Sequence, residues 1–309
     1  MQAGVQTLVE AVMRMRPAHL TPILLLVVAA VLAAPPAAQA APGSGSDARV
    51  GHAGGSSNTP GAGYDISAPQ CNAKFPSGAQ FGIVGVNNGI VFSANPCLGT
   101  GDGPSELAWA QRAGNGAPAF YANTADPGPA YSSHWPTGQN TPQPCSADDR
   151  NSTACSYDYG YNAATDSFTN AVTAEEHVNG YSDATAQAAA AQASWWLDVE
   201  TGNSWQTLEA AYGNTVSFQQ NDVAALRGAV AALSADGVTH IGFYSTDDQW
   251  GLITGGDGTD FAAAANWVAG FRGAADASAG CTSANSFTGG PVTLTQYRSK
   301  GFDADHACA

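Results

Sequence analysis

The chain has 309 residues, 44% of them apolar and only 11% charged, with 10 Lys and Arg against 25 Asp and Glu for a net charge of −15. That balance excludes a nucleic-acid binder, which needs a basic face to displace counterions from phosphates, and seven Trp, ten Tyr and eleven Phe exclude a disordered chain. The length and apolar content suit one large domain with a sizeable core.

In chain order, Arg14 and Arg16 precede an apolar run from Ile23 to Leu32, then Pro35-Pro36 and the small triplet Ala38-Gln39-Ala40. This is the three-part layout of a secretory signal peptide, so residues 1–40 are expected to be removed after Ala40. The run is shorter than the roughly 20 residues a membrane span needs. The remaining chain is therefore expected to be secreted, extracellular and off the membrane. Residues 41–62, rich in Gly, Ser, Ala and Pro, read as a flexible leader. From 63 to 309 the texture is that of one globular domain with no second linker and no repeat, and a monomer is expected.

Short apolar runs at 63–66, 81–86, 119–123, 194–200, 240–246, 266–271 and 292–297 read as strands, several of them apolar on both faces. Helices are predicted between them at 105–113, 157–172 and 222–236. In the last, Val223, Leu226, Val230 and Leu233 make one stripe and Gly237 is the stop. Alternating strands and helices imply an α/β fold with a parallel sheet, and the size matches a closed (β/α)8 TIM-like barrel. An eighth strand must then lie in the irregular parts. Residues 124–156, rich in Pro, Ser, Asn and Asp, read as a long loop.

Cys71, Cys97, Cys145, Cys155, Cys281 and Cys308 are an even set in an exported chain, which predicts three disulfides. Closeness in sequence favours Cys71–Cys97, Cys145–Cys155 and Cys281–Cys308. No CxxC or HExxH spacing and no phosphate loop occurs, so no metal and no cofactor are expected; Gly255-Gly256-Asp257-Gly258 reads as a surface turn.

The sharpest segment is Trp195-Trp196-Leu197-Asp198-Val199-Glu200. Strand side chains alternate, so Asp198 and Glu200 share a face at the end of a strand, just before the turn Thr201-Gly202-Asn203. Barrel active sites lie at that end. Two crowded carboxyls raise each other's proton affinity, so one can serve as general acid while the other stays ionised. Glycoside hydrolysis uses that division. Asp65 ends the first strand and Asp303 follows the last, and closure of a barrel would bring both to the same mouth. Trp196 shares the Asp198 face and could stack on a sugar, a ligand suited to an acidic protein. His306, three residues after Asp303, is a weaker candidate for proton traffic.

GYDIS at 63–67, FGIVGVNNG at 81–89, WWLDVETGNSW at 195–205, IGFYST at 241–246, NWVAG at 266–270 and LTQY with FDAD across 294–305 occur in that order. Together they resemble the family 25 glycoside hydrolases, secreted lysozymes that cleave peptidoglycan, and more closely the secreted actinobacterial glycoside-hydrolase-like branch (DUF1906). The resemblance spans nearly all of 63–309. It implies Glu200 as the acid, Asp198 as its partner and Asp65 as the first-strand acid. Asp303, or else Asp305, would be the last-strand acid, and Tyr244, Gln296 and Tyr297 would line the sugar site. The partner it implies is an envelope glycan. The chain departs from the pattern where Val86-Asn87-Asn88-Gly89 replaces a turn of the Lys-Ala-Thr-Glu-Gly type, and where Ala68 stands in place of a Trp. A glycan-binding module without turnover, and an envelope scaffold whose acids hold a cation such as Ca²⁺, are the alternatives on the same fold.

Overall fold

A computed structural model describes residues 63–99, 104–114, 117–256, 259–299 and 301–308. The signal peptide and leader expected at 1–40 and 41–62 lie outside the described residues, as do Asp257 and Gly258 of the glycine-rich turn. The seven expected strands are present as β1 (Gly63–Ile66), β2 (Phe81–Gly85), β3 (Ala119–Asn123), β4 (Ser194–Asp198), β5 (Ile241–Ser245), β6 (Ala265–Phe271) and β7 (Val292–Ser299). The eighth, β8 (Phe302–Ala307), occupies the acidic FDADHA stretch. The strands close into one barrel in sequence order.

β1 to β7 run parallel, but β8 is antiparallel to both β7 and β1. The expected all-parallel arrangement is thus corrected in its last unit. Ser299 pairs with Phe302 across a two-residue connection that includes Gly301 at φ 87°. So short a link can only make a hairpin; a parallel return needs a crossover of a dozen residues or more.

The outer layer holds α1 (Glu106–Ala113), α2 (Thr153–Asn179), α3 (Asp183–Gln192), α4 (Gln219–Ala235), α5 (Asp247–Thr254) and α6 (Ala274–Ala279). Ser105 caps α1 by accepting from the Ala108 amide at 3.1 Å, and Thr246 caps α5. The helix expected at 157–172 is longer at both ends and stops at Gly180 in the left-handed conformation, so the expected loop ends before Thr153. α3, α5 and α6 were not expected: α3 is alanine-rich and buries only Ala186 and Ala190, which leaves no apolar stripe to read. α2 and α4 cross at paired glycines. A Cβ on Gly160 would meet the Ala225 carbonyl oxygen at 1.9 Å, and one on Gly228 would meet that of Tyr157 at 1.9 Å.

The alternation of β4 divides the core. Trp195 and Leu197 face the helices, while Trp196 enters a smaller cluster inside the barrel with Phe81, Ile83, Tyr244, Trp267 and Leu294. The disulfides are Cys71–Cys97, Cys145–Cys155 and Cys281–Cys308, the pairing that closeness in sequence favoured. No helix among the described residues is long and apolar enough to cross a membrane.

Candidate active site

The strand ends bring a set of carboxyls to one mouth of the barrel. Asp198 is the last residue of β4 and pairs with Asn123 on one side and Tyr244 on the other. Strand-like bonding continues past it, because the Val199 amide donates to the Tyr244 carbonyl at 2.9 Å. That extension carries Glu200 to the Asp198 face. The following turn is fastened by the Trp205 indole, which donates to the Glu200 carbonyl at 2.8 Å, and by Asn203, whose backbone amide donates to that carbonyl at 3.0 Å. The Asn123 amide donates to Asp198 Oδ2 at 2.6 Å, while Asp198 Oδ1 is buried with no donor among the described residues. Gln249 on α5 accepts from the Thr201 amide at 2.7 Å and hydroxyl at 3.0 Å, which turns its own amide toward Glu200.

Across the mouth, Asp65 on β1 lies in register with Asp303 on β8. Gln296 on β7 donates to Asp65 Oδ2 at 2.9 Å, and the Tyr244 hydroxyl donates to Gln296 Oε1 at 2.8 Å, which fixes the orientation of that amide. Arg298 holds Asp303 at 3.2 Å. Asp305 sits on the same face, deeper in the barrel, where the Trp267 indole donates to its Oδ1 at 2.9 Å.

Crowding and burial push these groups toward their protonated forms. Asp65 is raised well above the usual carboxylate range by burial and by the charges of Asp303 and Glu200, against the Gln296 hydrogen bond. Asp198 is raised well above it by burial and then by the charge of Glu200. Burial lifts Glu200 to about 7, opposed by Gln249 and helped by Asp303. Asp303 is raised by burial and restrained by Arg298. Asp198 and Glu200 therefore do not ionise together. Asp198 Oδ2 accepts the Asn123 side-chain amide, and Glu200 is the more open of the two.

Asp65, Asp198, Glu200, Tyr244, Gln296 and Asp303 are thus gathered at one mouth. Tyr297 is not among them. It follows Gln296 on β7, so alternation turns its ring outward into the core beneath the helices. Trp196 faces inward but lies below Asp198, 6% exposed and edge-on to Trp267 with centroids 5.8 Å apart, so it offers no open platform. His306 alternates with Asp305 and pairs with Thr295, whose hydroxyl bonds to Ala277 on α6; it faces the helices rather than the mouth. Tyr121 and Asn123 were overlooked, although alternation in Ala119–Asn123 puts both on the Asp198 face. Gln249 left no signal in its own segment. At the departing turn, Asn87 is fully buried. It accepts from the Asn123 backbone amide at 2.8 Å and donates to Ser167 at 3.2 Å, so it braces β3 against α2 and sends no charge into the mouth.

A cavity of about 890 Å³ opens at the opposite end, beside Phe81, Ala119, Ser194, Ile241 and Leu294. The carboxyl cluster lies at the other mouth. Among the described residues no group of His, Cys, Asp and Glu is arranged to hold a metal ion.

No family model matches the chain and no curated protein matches it. Among solved structures it is similar to a muramidase from Acremonium alcalophilum (16% identity over 80% of this chain and 93% of that one, TM-score 0.45). It is also similar to a family GH25 lysozyme from Aspergillus fumigatus (16% identity, 79% and 92% covered, TM-score 0.44). A third is a bacterial lysozyme from Streptomyces coelicolor (17% identity, 82% and 94% covered, TM-score 0.41).

Proposed function

We propose that the protein is a secreted glycoside-hydrolase-like enzyme of the actinobacterial type, acting on peptidoglycan or a related envelope glycan. The observation that carries the reading is the unequal pair at the end of β4. Glu200 is part-exposed and titrates near neutrality, whereas Asp198 is buried and held by the Asn123 amide. Glu200 gives its proton to the glycosidic oxygen as the carbon–oxygen bond breaks, so the leaving sugar departs as an alcohol. Asp198 faces the cationic sugar that forms, and attack by water or by a group on the substrate completes the exchange. Asp65, oriented by Gln296, and Tyr244 bind the sugar alongside.

The test is release of reducing ends from peptidoglycan and from N-acetylglucosamine oligomers. The native protein is expected to release them, increasingly slowly as pH rises through about 7, where Glu200 loses its proton. Glu200→Gln is expected to be roughly 10²–10⁴-fold slower. Equal rates for the two proteins refute the assignment. The turn at Asn87, which brings no charged group to the mouth, favours a second reading: a glycan-binding module without turnover. Saturable binding with no product from either protein would select it.

A further inference from the structure

Asp305 has no task in the chemistry above, yet it is fully buried inside the barrel. Its Oδ1 accepts from the Trp267 indole at 2.9 Å, and its Oδ2 is buried with no donor among the described residues. The antiparallel register sets Gly63 opposite Asp305 and Asp65 opposite Asp303, so Asp305 lies diagonally below Asp65 on the inner face. The two carboxyls lie within hydrogen-bonding reach of each other. Two carboxylates are both acceptors, so that contact exists only if one of them carries a proton. Asp65 already receives the Gln296 amide and faces the mouth. Asp305 is the deeper of the two, and its bare Oδ2 is the atom left for the proton.

We propose that Asp305 is a positioning residue: as a neutral acid it donates a hydrogen bond to Asp65 and holds that carboxylate in its sugar-binding orientation. The claim rests on the glycosidase reading for its consequence, though not for the proton itself. The titratable and charged groups around the pair are known. Asp303 lies on the same strand, Arg298 on β7 is paired with Asp303, Tyr121 reaches in from β3 and Tyr244 from β5, and Asp198 and Glu200 face Asp65 from the end of β4. Trp267 from β6 and Gln296 from β7 contribute neutral donors. Burial and the Asp65 charge both raise Asp305, which agrees with the geometry. Once the shared proton leaves as pH rises, two anions face each other in the barrel and Asp65 loses its anchor.

Two substitutions separate a donor from a filler. Asp305→Asn keeps both bonds, since its oxygen accepts from Trp267 and its amide donates to Asp65, but it cannot titrate. Asp305→Leu keeps bulk and removes the donor. Calorimetric binding of an N-acetylglucosamine oligomer is expected to weaken roughly 10- to 100-fold in Asp305→Leu, as for a buried polar group left unpaired. Asp305→Asn is expected to recover most of that loss and to hold its affinity as pH rises, where the native protein weakens. Infrared difference spectra of native protein against Asp305→Asn report on the proton without any ligand. A neutral-acid carbonyl band, shifted in heavy water, is expected in the native protein and missing from the variant. Loss of carboxylate bands alone overturns the proposal, as does Asp305→Asn binding as weakly as Asp305→Leu. If no form binds the oligomer, the glycosidase reading fails while the infrared band still decides the proton.

Discussion

Glu106 gives a sharp test of how burial governs this acidic protein. It is the first residue of α1 and is fully buried. Asn95 donates to its Oε2 at 2.6 Å and to the Gly85 carbonyl at 2.8 Å, while Oε1 receives no donor among the described residues. Burial raises the carboxyl from 4.5 to about 7, with the Asn95 bond pulling the other way. The folded state thus holds the proton more tightly than the unfolded chain. Its contribution is fully present below the unfolded value near 4.5 and is lost as pH rises through about 7. Across that window the loss amounts to about 3 kcal/mol, or roughly 6–12 °C in Tm for a domain of this size. Glu106→Gln keeps an acceptor for Asn95 and removes the titration. Thermal unfolding followed by circular dichroism at pH 5 and pH 8 should show a fall in Tm for the native protein that is smaller in Glu106→Gln by about that amount. The remaining buried acids act equally on both proteins and cancel in the difference. An identical fall in both would refute the argument.

Asn123→Ala removes the donor to Asp198 Oδ2 and disfavours the anion there. The kcat for glycan cleavage is expected to fall roughly 10- to 100-fold, the worth of a hydrogen bond to a charged group, and a change under twofold would remove Asn123 from the site. Gly160→Ala places a Cβ 1.9 Å from the Ala225 carbonyl oxygen, backbone that cannot step aside without parting α2 from α4. A loss of about 1–3 kcal/mol is expected in urea unfolding; native-like stability would mean the helices have slack there.

Much of the fold is legible because alternation is a local signal. The apolar face changes of 194–200 and 241–246 locate strands, and the same rule puts Asp198 and Glu200 on one face without any knowledge of their neighbours. Applied to 119–123, it would also have found Asn123. Depth is a different matter. Trp196 shares the Asp198 face, but whether a side chain opens to the mouth or packs below it depends on how the strands tilt around the barrel, which no single segment carries. The direction of β8 was hidden for a related reason. Its acids suggest an exposed turn, and only contact with β1 makes those residues interior. Gln249 reaches Glu200 from a separate helix, a relation of tertiary structure alone.

The reversed last strand bears on how the molecule comes into being. Asp65 and Asp303 come from opposite ends of the domain and meet only when β8 slots between β7 and β1. Until then β1 and β7 are open edges, able to pair with other chains, and the two aspartates stand apart. That last pairing is also the most non-local in the sheet, the kind that forms slowly. Cys281–Cys308 then ties the far end of β8 to the segment before β7. Assembly of the carboxyl cluster and sealing of the barrel are therefore one step, in which the chain gains its acid pair and covers its open strand edges together.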